Sequence, residues 1–493
     1  MKAKIKIQKD FTVGDIDPRI YGSFVEHLGR CVYGGIYQED HEDADEHGFR
    51  KDVLKLVREL DIPIVRYPGG NFVSGYNWED GVGPVNERPV KKELAWNVIE
   101  TNKIGTNEFA EWAKKANVEV MPAVNLGTRG ADDARNYVEY CNSPAGTYYS
   151  DLRVKHGYKQ PHGFKLWCLG NEADGPWQIC AKTAYEYGRL ACETAKMMKW
   201  TDPSIELVAC GSSNLNMNTV YSWESEVLEQ CYDNIDYISM HQYFSKSDYK
   251  GGELDTSSYL AHSLDMDKYI DRIIATCDYV GGKRKTDKKI NISFDEWNVW
   301  FHNRKNTVSN IELHHELYTM EDALLFGSMM LSLLRRADRV KIGCQAQLVN
   351  VIAPIMTAPT GKAWKQTIFY PYLHASKFAR GKTLISLIES PKYDCETQSE
   401  VPYVDALATE TNEGITVLAI NKSKENIDFS IQLGGYETLN HKNHTSLYSD
   451  DILSVNNQNN ELVTPKTMPK AKKEDNTWHI NLPPYSWNCI LFN

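Results

Sequence analysis

The sequence predicts an α/β fold, a (β/α)8 TIM barrel, followed by an all-β sandwich at the C-terminal end. Three observations support this prediction. Short apolar runs alternate with amphipathic helical stretches through most of the 493 residues. Eight of these runs are predicted to be strands, which is the number that closes such a barrel. From about residue 385 helical periodicity fades, and short alternating runs replace it.

The eight predicted barrel strands come in a regular order with helical or long loop segments between them. They are Ile20–Val25, Ile62–Tyr67, Val118–Asn125, Phe164–Leu169, Glu206–Cys210, Tyr237–His241, Ile290–Phe294 and Val340–Ala346. Apolar stripes at helical period predict helices at Asp52–Leu60, Asn107–Lys115, Ala181–Trp200 and Glu321–Ala337. An open doubly wound sheet is disfavoured, because it would usually have fewer strands and an early glycine-rich phosphate turn.

Residues 385–493 are predicted to form the sandwich. Alternating runs such as Gly414–Ile420 and Thr477–Leu482 are separated there by turns rich in Asn and Lys. Residues 15–384 are then the barrel. The segment Met1–Lys9 alternates polar and apolar residues like a half-exposed strand and needs a partner before the barrel begins. We therefore expect residues 1–14 to contribute a strand to the sandwich.

Composition excludes several classes of function. Hydrophobic residues make up 42% and charged residues 25% of the chain, which is ordinary for a globular protein. The formal charge of −11 argues against nucleic-acid binding, which needs a basic face. No apolar run approaches the roughly 18 residues that would span a membrane. The start of the chain lacks a signal-peptide core, and the 11 cysteines show no paired motif, so we expect a cytoplasmic protein.

Polar side chains follow every predicted barrel strand. In a (β/α)8 barrel the carboxyl ends of the strands converge on the face where catalysis takes place. The candidates in strand order are Glu26 and His27; Arg66 and Asn71; Asn125; Asn171 and Glu172; Ser212, Ser213 and Asn214; His241 and Tyr243; Glu296; Gln345 and Gln347. Each alone is a weak signal, since loops are polar anyway, but together they are typical of a sugar-binding site.

Glu172 and Glu296 decide the chemical interpretation. Each carboxylate ends an apolar run, where its burial costs free energy unless the site uses it. Retaining sugar hydrolysis needs one ionised carboxylate to attack the anomeric carbon and one carboxylic acid to protonate the departing oxygen. We assign Glu296 as nucleophile and Glu172 as acid/base. Arg66 and the Tyr243 hydroxyl are plausible donors to the nucleophile.

Neighbouring side chains complete the predicted pocket. Asn171, beside the acid, is placed to bond a sugar hydroxyl near the reacting carbon, and such a bond can strengthen in the transition state. Indole rings suit the C–H faces of a sugar. The tryptophans on or near predicted loops above the barrel are Trp78, Trp96, Trp177, Trp297 and Trp300. Of these, Trp96 and Trp300 are the ones we expect in the pocket, and the others fit core or interface positions as well.

Longer segments make the identification specific. The chain resembles the α-L-arabinofuranosidases of glycoside hydrolase family 51 over essentially its whole length. The segments that carry the resemblance are Tyr21–Gly29, Arg66–Asp80, Cys168–Trp177, Phe294–Trp300 and Ala346–Pro354. The resemblance implies a catalytic (β/α)8 barrel with a C-terminal jelly-roll sandwich, retention of configuration through a covalent arabinosyl–enzyme intermediate, and no metal or cofactor.

The resemblance also assigns residues and partners. It implies the same roles for Glu172 and Glu296, and it implies arabinose contacts at Glu26, Asn71, Asn171, Tyr243 and Gln347, with Trp96 and Trp300 shaping the pocket. Members of the family are commonly intracellular homo-oligomers, often hexamers. The expected partners are thus arabinose-containing oligosaccharides derived from arabinan or arabinoxylan, with terminal arabinose removed by exo action, and other copies of the chain.

Two alternatives stay open at this point. A retaining endo-glucanase or β-xylosidase could use the same barrel and carboxylates, because the fold does not fix the substrate. A catalytically inactive sugar-binding protein could keep the barrel alone, although two intact glutamates argue against it. Ala173 stands where many relatives have Met, which could alter the leaving-group side of the site.

Overall fold

The computed structural model describes residues 1–247, 252–301 and 314–493. Its central element is an eight-stranded parallel sheet in which the strands follow one another around the sheet in chain order. The strands are Gly22–Phe24, Ile64–Tyr67, Glu119–Pro122, Leu166–Leu169, Glu206–Ala209, Tyr237–Phe244, Asn291–Val299 and Val340–Ala346. A parallel bridge between Ala123 and Cys168 closes the third strand onto the fourth. The predicted (β/α)8 barrel is confirmed, and all eight predicted strands overlap observed ones.

Helices surround the barrel and turn an apolar face towards it. Lys51–Leu60 buries Val53, Leu54, Leu56, Val57 and Leu60, the stripe that its periodicity predicts. The described helices are Lys51–Leu60, Thr106–Ala116, Ala131–Asn142, Tyr148–Lys155, Ala184–Thr201, Ser222–Cys231, Thr256–Leu260, His262–Arg284, Met320–Leu334 and Phe369–Phe378. None of them is long and apolar enough to cross a bilayer.

The C-terminal part of the chain is built from two facing sheets. The five-stranded sheet runs in the order Leu387–Glu389, Lys2–Gln8, Ile427–Gly434, Thr477–Leu482 and Lys472–Glu474. The seven-stranded sheet runs in the order Thr12–Asp15, Lys382–Leu384, Val404–Thr411, Gly414–Asn421, Ser486–Phe492, His441–Leu447 and Lys466–Thr467. Their inward side chains, among them Ile5, Val417, Phe429 and Ile490, form a core of their own. The predicted all-β sandwich is confirmed.

The N-terminal segment lies in this sandwich. Lys2–Gln8 pairs in parallel with Ile427–Gly434, and Thr12–Asp15 pairs with Lys382–Leu384. The latter strand lies just before residue 385, where the sequence predicts the domain boundary. The boundary itself stays a prediction. Shorter two-stranded pairs elsewhere are Lys91–Glu93 with Val98–Glu100, Ile355–Met356 with Trp364–Lys365, Lys392–Tyr393 with Val401–Pro402 and Asn456–Asn457 with Asn460–Glu461.

Helix Met320–Leu334 joins the two parts. Every one of its residues is buried, which explains its largely apolar sequence. One side faces the barrel strand Asn291–Val299, and another faces sandwich strands. At Gly327 a side chain would meet the Trp487 ring at 2.6 Å, so only glycine lets the sandwich approach this closely. The sandwich therefore packs against a helix on the outside of the barrel.

Candidate active site

A cavity of about 470 Å³ opens at the carboxyl ends of the barrel strands. Its wall combines carboxylates, amides and aromatic rings, as a sugar pocket requires. Of the ten predicted site residues, eight line it: Glu26, Asn71, Trp96, Glu172, Tyr243, Glu296, Trp300 and Gln347. The other two, Arg66 and Asn171, are buried directly beneath it, and Arg66 donates to the Asn171 side-chain oxygen at 2.7 Å.

Glu296 is held by two donors. It extends from the seventh strand, Asn291–Val299, and is nearly buried. Arg66 donates to its Oε1 at 2.6 Å, and the Tyr243 hydroxyl donates to its Oε2 at 2.8 Å. Charge-assisted bonds of this kind favour the ionised carboxylate and fix its orientation. Both donors are the ones that the sequence indicated, although Arg66 acts from below and not from the cavity.

Glu172 has a different setting. It follows the fourth strand in a tight turn and has a left-handed backbone, with φ of 38°. A non-glycine residue in this conformation is strained, and such strain is common where a side chain must be aimed. The Trp177 indole donates to Oε2 at 2.6 Å, and Oε1 lies 2.9 Å from Nδ1 of His241.

The two carboxylates face each other across one small space. One oxygen of Glu172, one oxygen of Glu296 and one ring nitrogen of His241 all lie within 4.8 Å of one another. In retaining glycosidases the carboxyl groups are about 5–5.5 Å apart, whereas inverting enzymes need roughly 6.5–9.5 Å to admit water. The spacing therefore fits double displacement. At Gly70 a side chain would come within 3.1–3.2 Å of Glu296 and Glu26, so a bare backbone suits this wall.

The charges in this space are interdependent. Burial raises the pKa of the Glu296 carboxyl, and Glu172 acts in the same direction, while His241, Arg66 and Tyr243 oppose the rise. Burial alone would lower the pKa of His241, but Glu296, Asp295 and Glu172 outweigh it and raise that pKa to about 10. A proton shared among these groups is thus kept inside the site at neutral pH.

His241 and Asp295 were not assigned a role from the sequence. His241 Nε2 lies 2.9 Å from Asp295 Oδ1, and both side chains are almost wholly buried. Asp295 also lies 3.9 Å from Arg66 and 3.7 Å from the Cys168 thiol. The available signal was the position of both residues at predicted strand ends. What sequence could not reveal is the irregularity of the seventh strand between Phe294 and Trp297, where Asp295 and Glu296 both contact His241.

Glu26 lines the same cavity. The backbone N–H of Phe72 and the Trp96 indole donate to its Oε1 at 2.9 and 3.0 Å. Gln347 Nε2 donates to its Oε2 at 3.4 Å. Burial, helped by the charge of Glu296, raises the pKa of Glu26 to about 8 despite the first two bonds. A carboxyl group that is neutral near pH 7 can donate a hydrogen bond to a sugar hydroxyl as well as accept one.

The five candidate tryptophans divide between cavity and core. Trp96, Trp177 and Trp300 line the cavity, and the Trp300 ring meets that of Tyr243 edge-on at 5.3 Å. Trp78 instead stacks on Tyr137 at 5.0 Å, and Trp297 packs on Phe326 at 4.8 Å. Neither of these two lies in the cavity wall. Trp297 follows Glu296 along the strand, and strand alternation turns it towards the helices.

Another side of the cavity contains Ser213 and Asn214, which the sequence placed at the end of the fifth strand, and Asn216 and Gln242, which were not among the strand-end candidates. Ser213, Asn214, Asn216 and Gln242 line it beside Trp177. Gln242 accepts from the Leu215 backbone N–H at 3.0 Å, which fixes this polar edge to the sixth strand. Such amides and hydroxyls can bond a second sugar but have no proton to transfer at neutral pH.

Family descriptions cover most of the chain. That of the α-L-arabinofuranosidase 1 domain matches residues 56–259, and that of the α-L-arabinofuranosidase C-terminal domain matches residues 295–486. An intracellular exo-α-(1→5)-L-arabinofuranosidase 1 from Bacillus subtilis is 54% identical over 99% of this chain and 98% of its own. An exo-α-(1→6)-L-arabinofuranosidase from Bifidobacterium longum is 44% identical over 99% of this chain and 97% of its own.

Solved structures agree with these matches. A family 51 α-L-arabinofuranosidase from Bifidobacterium longum has a TM-score of 0.95 at 41% identity and covers 100% of this chain and 99% of its own. An α-L-arabinofuranosidase from Thermotoga maritima, solved as an arabinose complex, has a TM-score of 0.88 at 32% identity, with full coverage of both chains.

Proposed function

We propose a function from one premise: the chain belongs to the α-L-arabinofuranosidases of glycoside hydrolase family 51. It is an exo-acting, retaining α-L-arabinofuranosidase, a glycoside hydrolase that releases terminal non-reducing α-L-arabinofuranosyl residues from arabinan- and arabinoxylan-derived oligosaccharides. The observation that carries this function is the pair of carboxylates, with oxygens within 4.8 Å, in a cavity lined by indoles and amides.

The first half of the reaction forms a sugar ester. An oxygen of ionised Glu296 attacks the anomeric carbon while protonated Glu172 gives its proton to the glycosidic oxygen. The bond from that carbon to the leaving sugar breaks, and the shortened oligosaccharide departs as an alcohol. Arg66 and Tyr243 keep the attacking carboxylate oriented until it bonds to the anomeric carbon.

The second half restores the enzyme. Glu172, now ionised, takes a proton from water, whose oxygen attacks the same carbon and displaces Glu296. Two displacements return the original anomeric configuration. The hydrogen bond from Trp177 and the contact with His241 suit the ionised form of Glu172 in this step. We assign Glu26, Asn71, Asn171, Tyr243 and Gln347 as contacts to arabinose hydroxyls, and Trp96 and Trp300 as walls of the pocket.

The names of the relatives indicate which linkage the enzyme prefers. Relatives at 47–54% identity from four organisms are named intracellular exo-α-(1→5)-L-arabinofuranosidases. We infer (1→5)-linked arabino-oligosaccharides as the preferred substrate and action inside the cell, on fragments that have been imported. An endo-glucanase or β-xylosidase is not favoured, since these relatives are named arabinofuranosidases.

Hydrolysis of an aryl α-L-arabinofuranoside tests the activity. Purified protein should release the phenol at neutral pH, and proton NMR should show α-arabinose as the first product before mutarotation. Matched aryl β-xylosides and β-glucosides should be hydrolysed much more slowly. Release of phenol only from the xyloside or glucoside would contradict the proposal, and so would β-arabinose as first product.

The linkage and assembly need separate measurements. Chromatography of products from (1→5)- and (1→6)-linked arabinobiose should show faster cleavage of the (1→5) compound.

We also expect a homo-oligomer, with a hexamer as the specific form, from the family resemblance. Light scattering on the eluting chain measures its mass, and a monomer at micromolar concentration would exclude this assembly.

A further inference from the structure

The catalytic carboxylates and His241 have the donor atoms and spacing of a metal site. We propose that Glu172, His241 and Glu296 bind a divalent transition-metal ion such as Zn²⁺, which inhibits the enzyme by occupying the position of the anomeric carbon. The donors would be Glu172 Oε1, His241 Nδ1 and Glu296 Oε2. All three side chains are buried, and Glu172 and Glu296 line the cavity that receives the sugar.

The distances suit a small ion. His241 Nδ1 lies 2.9 Å from Glu172 Oε1 and 3.6 Å from Glu296 Oε2. Zinc bonds to nitrogen and oxygen are about 2.0–2.2 Å long, which places two ligands of one tetrahedral ion roughly 3.3–3.5 Å apart. The three donors therefore need only small side-chain rotations to close on one ion. The fourth position faces the cavity, where a water molecule can complete the coordination.

Asp295 supplies the support that a histidine ligand usually has. Its Oδ1 lies 2.9 Å from His241 Nε2 and accepts a hydrogen bond from that nitrogen. When the ion displaces the proton that His241 carries on Nδ1, this bond holds the ring so that the Nδ1 lone pair points towards the two glutamates. A carboxylate behind the histidine is the common arrangement in zinc proteins, and it strengthens the ligand.

Charge also favours a cation at this point. Three carboxyl groups, those of Glu172, Asp295 and Glu296, surround the space, and among the described residues Arg66 is the guanidinium that faces them. Arg66 and Tyr243 bond Glu296, and Trp177 bonds Glu172 Oε2, so these oxygens stay oriented while the remaining lone pairs bind the ion. The mixed nitrogen and oxygen donors select Zn²⁺ or Cu²⁺ over Mg²⁺ and Ca²⁺, which prefer six or more oxygens.

Calorimetry on the full chain without substrate tests binding directly. We expect one Zn²⁺ per chain and no heat with Mg²⁺ or Ca²⁺. His241→Ala and Glu172→Gln should each weaken binding at least tenfold, and Asp295→Asn about tenfold. Glu172→Gln preserves shape, and circular dichroism checks that each variant is folded. The matched control is Cys180→Ser, which removes the exposed thiol and should leave zinc affinity unchanged.

Inhibition locates the ion independently of affinity. Zn²⁺ should raise KM for the aryl arabinofuranoside at constant kcat, and EDTA should restore activity fully. Zinc binding that survives in both ligand variants but is lost in Cys180→Ser would overturn the proposal, as would inhibition that is noncompetitive with substrate. Because the calorimetric experiment needs no turnover, an inactive protein that still binds zinc through these ligands would contradict the proposed hydrolysis and not the metal site.

Discussion

The ends of the fourth and seventh barrel strands carry the same side chain in opposite surroundings. Glu296 extends from a regular strand and receives Arg66 and Tyr243, two donors that are themselves buried in the barrel. Glu172 follows its strand in a left-handed turn, and its donors are His241 and Trp177, the latter half-exposed at the cavity mouth. One carboxylate is fixed, and the other lies beside a side chain that solvent and substrate can reach.

This difference indicates how identical groups acquire different tasks. A nucleophile must hold one charge state and one position, which rigid cationic and phenolic donors provide. An acid/base must lose and regain a proton in each cycle, so it needs contacts that can change when the leaving sugar arrives. The proposed roles follow from the neighbours of the two carboxyl groups and not from the carboxyl groups themselves.

The largest expected effect comes from removing each carboxylate in turn. Glu296→Ala should lower kcat by about 10⁴-fold or more on every substrate, because no covalent intermediate can form. Glu172→Ala should lower it by about 10²–10⁴-fold on oligosaccharides, whose leaving groups need a proton. On an aryl arabinofuranoside with a good leaving group, formation of the intermediate should be nearly unaffected. Stopped-flow and steady-state assays on both substrates measure these values.

If Glu296→Ala and Glu172→Ala lowered kcat equally on both substrates, the two carboxylates would not have the different roles proposed for them. Glu139→Ala is a suitable control, because this buried carboxylate lies on an outer helix and pairs with Arg135. This variant should leave the ratio of the kcat values for the two substrates unchanged.

A smaller effect is expected from the fixed donors. Tyr243→Phe removes a hydrogen bond that lowers the pKa of Glu296. That pKa should then rise, and since the nucleophile must be ionised, the acidic limb of the kcat/KM profile should move to higher pH. Loss of one bond to a charged group, worth about 1.5–3 kcal/mol, predicts a fall in kcat of roughly 10–100-fold.

The pH profile of kcat/KM checks this prediction. Tyr393→Phe removes a hydroxyl that bonds the Ser257 carbonyl at 3.0 Å, away from the cavity, and should leave both limbs in place. A shift of the acidic limb to lower pH in Tyr243→Phe would mean that the hydroxyl does not stabilise the charged carboxylate.

The smallest effect should come from the half-exposed donor to Glu172. Trp177→Phe keeps an aromatic face but loses the N–H that bonds Glu172. We expect about a tenfold fall in kcat/KM on oligosaccharides and a smaller one on aryl substrates. Trp200→Phe, at a more exposed indole on helix Ala184–Thr201, should change neither value. Identical losses on both substrates for Trp177→Phe would argue that the indole supports the fold and not the acid.

Much of this architecture could be predicted because it depends on local patterns. Apolar runs predicted the positions of all eight strands. In a barrel, side chains at the carboxyl ends of the strands converge on one face. Glu172 and Glu296 were therefore paired from sequence although they are far apart in the chain. The apolar stripe of Lys51–Leu60 and the buried sequence of Met320–Leu334 likewise gave their helices directly.

The rest depends on side-chain direction, which sequence does not contain. Trp297 and Asp295 flank Glu296, yet one packs in the core and the other bonds His241 behind the site. Trp78 follows the second strand but folds away onto Tyr137. Trp177 turns back over Gly175, where a side chain would meet the indole at 2.6 Å, and so reaches Glu172. A turn of this kind is visible only in coordinates.

Covalent trapping tests the central assignment most directly. A 2-deoxy-2-fluoro or cyclophellitol-type arabinofuranosyl inhibitor should inactivate the enzyme with time and attach to one residue. Peptide mass spectrometry should find the sugar on Glu296, in the segment Phe294–Trp300, and Glu296→Ala should not be labelled. A label on Glu172, or inactivation without any covalent adduct, would contradict the division of tasks between the two strand ends.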